Sequence, residues 1–131
     1  MNKIALTLTA LAGAALTAGP TVAADRPSGD AKLAKILEGR VAGTPRSCIN
    51  TFANRESRVI DRTAVVYGRG KTVWVNVPRN AQDLDDGDAM VIRMHGSQLC
   101  RQDIVTTIDT TSGFYTGNVF LSDFVPYTRA D

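Results

Sequence analysis

The stretch Ser57-Arg58-Val59-Ile60-Asp61-Arg62-Thr63-Ala64-Val65-Val66-Tyr67-Gly68-Arg69-Gly70-Lys71-Thr72-Val73-Trp74-Val75-Asn76-Val77 contains two valine-rich runs that meet at Gly68-Arg69-Gly70-Lys71. Counted outward from the centre of that turn, Tyr67 faces Thr72, Val66 faces Val73, Val65 faces Trp74 and Ala64 faces Val75. Side chains alternate across a strand. Ala64, Val66, Val73, Val75 and Val77 therefore form one small aliphatic face, and Thr63, Val65, Tyr67, Thr72, Trp74 and Asn76 form the other. The first reads as a core face. Glycines on both sides of Arg69 permit the positive φ that a tight turn often requires, so an antiparallel hairpin is expected.

Working outward, Asp30 is placed to cap a short helix in which Leu33, Ile36 and Leu37 recur at helical spacing and which Gly39 ends. So short a helix is marginal alone, and its apolar stripe has to dock on the sheet. Thr44-Pro45 looks like an N-cap followed by proline at the first helical position, predicting a helical turn that carries Cys48, Ile49 and Phe52. Residues 55–60 read as a strand joined to the hairpin by Asp61-Arg62. Residues 89–94 and 103–109 read as further strands, with a turn at His95-Gly96-Ser97 between them. After a turn at 110–113, residues 114–125 read as one broken strand or two, with a bulge or turn at Gly117-Asn118. The expected class is mostly β: a small antiparallel sheet or barrel of five to six strands with one short N-terminal helix. The links are too short for the crossover helices of parallel pairing.

At the N-terminus, Lys3 precedes an apolar and small-residue run over 4–17, and Pro20-Thr21-Val22-Ala23-Ala24 leads to the charged Asp25-Arg26. This is the pattern of a secretory signal peptide, residues 1–24, with a small-residue cleavage site. The run is shorter than the roughly 20 residues of a membrane span and is interrupted by Thr and Gly, and no cysteine follows it, so no membrane anchor is expected. A periplasmic or secreted single domain over 25–131 follows, with 25–29 and 128–131 expected to be disordered. In an oxidising compartment, two cysteines with no leftover thiol favour a Cys48–Cys100 bridge. Such a bridge would tie the helical turn to the start of the strand at Asp103. A metal pair or a catalytic thiol competes with this reading, but there is no C-x-x-C, His95 is the sole histidine, and zinc-type spacing is absent.

Without Lys3 the chain has 14 basic and 13 acidic residues, a formal charge of +1. Arg40, Arg46, Arg55, Arg58, Arg62, Arg69, Arg79, Arg93 and Arg101 are scattered among the acids, which reads as a solvated mixed-charge surface. The loop over 78–88 has a run of acids, Asp83, Asp85, Asp86 and Asp88, that invites a calcium reading. An EF-hand loop begun at Asp83 would need Gly at its sixth position and Glu at its twelfth, where Asp88 and Met94 stand, so a solvated turn is the better account. No metal or cofactor is expected.

Three function classes follow. A hydrolase would have to use His95 and Asp103, yet His95-Gly96-Ser97 reads as a turn and no nucleophile elbow or paired-carboxylate motif accompanies it, so no residue is assigned as catalytic. An oligonucleotide-binding-like barrel could use Tyr67 and Trp74, but the near-zero charge lacks the basic stripe that phosphates need, so no nucleic-acid partner is expected. The preferred class is a non-catalytic periplasmic or secreted binding or structural module, for which a protein in the cell envelope is the candidate partner. Its candidate ligand surface is the second hairpin face, with Tyr67, Trp74 and Asn76. The competing reading has the Leu33/Ile36/Leu37 helix cover that face as core.

Five short motifs carry a resemblance: Ser47-Cys48-Ile49; Arg58-Val59-Ile60-Asp61-Arg62-Thr63; Trp74-Val75-Asn76-Val77-Pro78; Leu99-Cys100-Arg101-Gln102-Asp103-Ile104; and Phe120-Leu121-Ser122-Asp123-Phe124-Val125-Pro126. Over about residues 46–127 the chain resembles a family of small exported bacterial proteins known only as a domain of unknown function. Members often have two further cysteines, near Ala81-Gln82 and at Val119, and a glycine where Ser122 stands. The joint absence of both extra cysteines here fits a missing second bridge and leaves Cys48 and Cys100 as partners. The resemblance implies no activity and no ligand.

Overall fold

The computed structural model describes residues 27–130, together with Gly19. The expected signal peptide therefore lies, Gly19 apart, outside the described residues. Among the described residues one α-helix, α1 (Gly29–Leu37), precedes ten strands: β1 (Arg40–Ala42), β2 (Cys48–Asn50), β3 (Ser57–Ile60), β4 (Ala64–Tyr67), β5 (Thr72–Asn76), β6 (Asp88–Ile92), β7 (Gln98–Cys100), β8 (Val105–Asp109), β9 (Tyr115–Val119) and β10 (Phe124–Arg129). All pairings are antiparallel. They build a five-stranded sheet in the order β1-β10-β5-β4-β3, a ribbon β2-β7 and a three-stranded sheet β6-β8-β9. Among the described residues the sheets stay open and no barrel closes. The mostly β class holds, but the strands are more numerous and shorter than expected.

The hairpin lies at the centre, with its register moved by two residues. Tyr67 pairs with Trp74, Val66 with Val75 and Val65 with Asn76. Thr72 and Val73 lie in the loop on the β4 side, while on the other edge of β5 they pair with Thr128 and Tyr127 of β10. The loop widens accordingly, with Gly68 and Gly70 at φ +85° and +99°. Because the shift is even, the alternation of faces survives it. Ala64, Val66, Val73 and Val75 join Ile60 in one buried cluster, against which Leu33, Ile36, Leu37 and Tyr127 pack. Val77, expected on that face, lies past the end of β5 and is exposed.

The helix thus covers the aliphatic face and not the Trp74 face. Its cap is Ser28, whose Oγ accepts from the Ala31 N–H at 3.2 Å, and Asp30 sits in the first turn where the helix dipole favours an acid. The opposite face of the hairpin, with Val65 and Tyr67, is buried against the two smaller sheets. Ile49, Leu84, Leu99, Val105, Val119, Leu121 and Phe124 complete this larger core, with Val59, Trp74, Ala81, Met90 and Ile92 packed on its margin. The order across the molecule is helix, five-stranded sheet, smaller sheets.

Two further expectations are corrected. Thr44-Pro45 starts no helical turn, since Cys48, Ile49 and Asn50 form β2, paired with β7. Tertiary pairing outweighs the local capping signal. Residues 128 and 129, expected to be disordered, extend β10 and pair with β1. The expected irregularity near Gly117 is present as a bulge, where the β8–β9 register slips between Thr107 and Ile108.

Candidate functional site

Cys48 and Cys100 stand directly opposite one another on β2 and β7, their Cα atoms 4.0 Å apart, and are joined by a disulfide. The flanking Arg101 N–H donates to the Ser47 carbonyl (2.8 Å) and the Thr51 N–H to that of Ser97 (3.0 Å), so the cysteines occupy a non-hydrogen-bonded pair, where side chains approach most closely. Alternation then aims their neighbours Ile49 and Leu99 inward, where both are buried. The bridge therefore pins the floor of an adjoining cavity.

That cavity has a volume of about 320 Å³ and opens between the five-stranded sheet and the β2-β7 ribbon. Ile49, Leu99, Tyr67 and Ile92 line it, with Phe52, Met94, Thr51, Asn54, Arg55 and Ser57 completing the wall. A compact turn after β2 shapes one side: Asn50 Oδ1 accepts from the Ala53 N–H (3.1 Å) and Asn54 Nδ2 donates to the Asn50 carbonyl (2.7 Å). This turn holds Phe52 66% exposed, with the Arg55 guanidinium 5.8 Å from its ring centre.

Tyr67 is the exceptional wall residue. It is 2% exposed, its ring meets Phe124 edge-on at 5.7 Å, and its Oη has no hydrogen-bond partner among the described residues. A buried tyrosine hydroxyl normally has one, because leaving it unpaired costs about 1–3 kcal/mol. Burial also pushes the Tyr67 pKa well above its ordinary value of 10.0, which keeps the phenol a neutral donor.

The other two residues of the expected ligand surface do not share this cavity. Asn76 is fully buried and clamps Ser122, donating from Nδ2 to its carbonyl (2.7 Å) and accepting from its N–H through Oδ1 (3.0 Å). Its amide is spent on joining β5 to the segment before β10. Trp74 is half-buried at the margin of the larger core, with the Arg46 guanidinium 6.0 Å from its ring centre. No continuous Tyr67-Trp74-Asn76 surface exists. His95 lies exposed in the turn before β7, while Asp103 follows β7 and accepts the Cys100 N–H at 2.6 Å. The extended strand β7 separates them, and Asp103 holds a turn.

Carboxylate oxygens of Asp61, Asp85 and Asp86 lie within 4.8 Å of one another, but Asp85 and Asp86 are exposed, Asp85 accepts the Gly87 N–H, and Lys32 stands 3.7 Å from Asp86. Local pairing accounts for this group. Phe52, Ile92, Met94 and Leu99 had drawn no functional reading in the sequence. Their only signal was adjacency to the cysteine strands, since Phe52 reads as one face of a helical turn until β2 is seen. Among the described residues no helix is long and apolar enough to cross a membrane. No family model matches the chain, and neither a curated protein nor a solved structure matches it.

Proposed function

We propose that the chain is an exported, non-catalytic binding module that takes a small amphiphile, an apolar body bearing one hydrogen-bonding group, into the cavity beside Tyr67. The observation carrying this reading is Tyr67, a lining residue of an otherwise largely apolar cavity whose hydroxyl is buried without a partner among the described residues. Small-molecule sites are concave, mostly apolar and equipped with few polar groups, and about 300 Å³ is the lower end of their volumes. The exposed Phe52 and Met94 supply apolar area at the wall, and Arg55 offers a positive charge to an acidic head. The disulfide and the signal-like N-terminal sequence support export.

The test uses the fluorescent amphiphile 1-anilinonaphthalene-8-sulfonate with the folded, oxidised protein. Met94→Trp, which fills the wall, should abolish saturable binding. Tyr67→Phe should weaken it by roughly 2- to 10-fold, the worth of one neutral hydrogen bond. Equal binding by wild type and Met94→Trp, each with an unchanged unfolding midpoint, would sink the proposal.

A further inference from the structure

A second cavity, of about 370 Å³, lies on the helix-covered face of the five-stranded sheet, beside the last turns of α1. Its wall carries five cationic side chains and no acid: Lys35 of α1, Arg40 of β1, Arg58 of β3, Arg69 of the hairpin loop and Arg129 of β10. Register explains the convergence. Arg40 and Arg129 are direct cross-strand partners, while Arg58, opposite Val66, projects to the same face as the small aliphatic cluster. Like charges placed directly opposite destabilise a ladder.

Part of this charge is accounted for locally. The Arg40 guanidinium donates to the carbonyls of Gly70 and Lys71, both at 2.7 Å, and its Nε to that of Ile36 at 3.2 Å. Arg69 pairs with Glu56 at 2.6 Å. Arg58 and Arg129 have no acidic partner among the described residues. Desolvation first, and then the like charges of Arg129 and Arg58, push the Arg40 pKa down from its ordinary value.

We propose that this cleft binds a phosphate-type oxyanion, with Arg58 and Arg129 as its ligands and Lys35 as an added charge. A singly charged carboxylate would leave most of the cluster uncompensated, whereas a diphosphate or a phosphate monoester matches it better in charge. Two free guanidinium forks suit its oxygens bidentately. The site is separate from the Tyr67 cavity, on the opposite face of the same sheet, and does not depend on the reading given for that cavity.

The same chemistry arises in free phosphates and in lipid headgroups, and titration of the full oxidised protein with sodium pyrophosphate or with phosphatidic acid vesicles, whose headgroup is a phosphate monoester, separates the two sources. Pyrophosphate binding by calorimetry supports a soluble ligand. Vesicle binding without pyrophosphate binding, absent with phosphatidylcholine, supports a headgroup. In either arm Arg58→Gln with Arg129→Gln should weaken binding at least about tenfold and added salt should weaken it further, while Arg93→Gln leaves it within about twofold. Single Arg58→Gln and Arg129→Gln variants serve if the double variant unfolds, each with a smaller loss. Binding in neither arm, or equal loss from Arg93→Gln, overturns the proposal.

Discussion

Tyr67 combines two demands that oppose one another at a single atom. Its ring belongs to the larger core, yet its hydroxyl is buried without a partner, so the position sacrifices stability that phenylalanine would keep. Tyr67→Phe should therefore leave stability unchanged or raise it by up to about 1–3 kcal/mol in urea unfolding, while weakening the amphiphile binding proposed above. The pH dependence follows from the raised pKa. The unfolded phenol loses its proton near its ordinary 10.0 and the folded one only at higher pH, so the native state binds more protons above pH 10. This contribution to stability is intact below about pH 10 and is lost as pH rises beyond it, by at most ~1.4 kcal/mol per pH unit. Urea midpoints measured across that range should fall less steeply for Tyr67→Phe; parallel slopes would show that the phenol is not protected. Asn76, one alternation away, shows how a polar residue in the same hairpin avoids the conflict, since both ends of its amide are bonded to Ser122.

At the scale of elements, α1 illustrates how a weak local signal becomes decisive on docking. None of its residues is fully buried, but Leu33, Ile36 and Leu37 cap the aliphatic cluster that would otherwise face water. The start of the helix approaches the β3–β4 connection so closely that a Cβ on Gly29 would fall on Thr63 Oγ1. Gly29→Ala should force the helix away and destabilise the protein by about 1–3 kcal/mol, with faster amide exchange along α1 than in β4 and β5. Equal exchange in the variant and the wild type would mean that the helix start can shift freely. The β1–β10 pair, unlike α1, is not visible to a local reading. Three residues of β1 have little strand signal, and their order comes from β10 and from Arg40, which bonds the hairpin loop.

For the whole molecule, the Cys48–Cys100 bridge joins two three-residue strands that could scarcely hold a ribbon alone and closes a sequence separation of 52. Replacing both cysteines by alanine should cost roughly 2–5 kcal/mol, read from denaturant unfolding at matched conditions. The ribbon forms one wall of the Tyr67 cavity, so the same variant should lose amphiphile binding at denaturant concentrations where its five-stranded sheet still shows a β signal. A variant of unchanged stability, or uptake of thiol alkylator by the denatured unreduced wild type, would remove the bridge from this role.

Alternation alone determined much of this protein. The period of two along Ala64-Val65-Val66-Tyr67 and Val73-Trp74-Val75-Asn76 separates two buried faces under any even shift of register, and the helical spacing of Leu33, Ile36 and Leu37 specifies a stripe that must be covered. The cysteine count and the apolar N-terminal run pointed to the bridge in the same way, through composition and spacing. Long-range partners decided the rest. The two-residue register shift is visible only in the pairing of β4 with β5, and β2 is a strand because β7 lies beside it. The cationic cleft shows the limit most clearly. Lys35, Arg40, Arg58, Arg69 and Arg129 are scattered along the chain like solvated surface charge, and only the pairing of β1 with β10, and of β3 with β4 beneath the helix, brings them to one wall. Charge clustering depends on distance in space, which linear order does not encode when contacts span the whole chain.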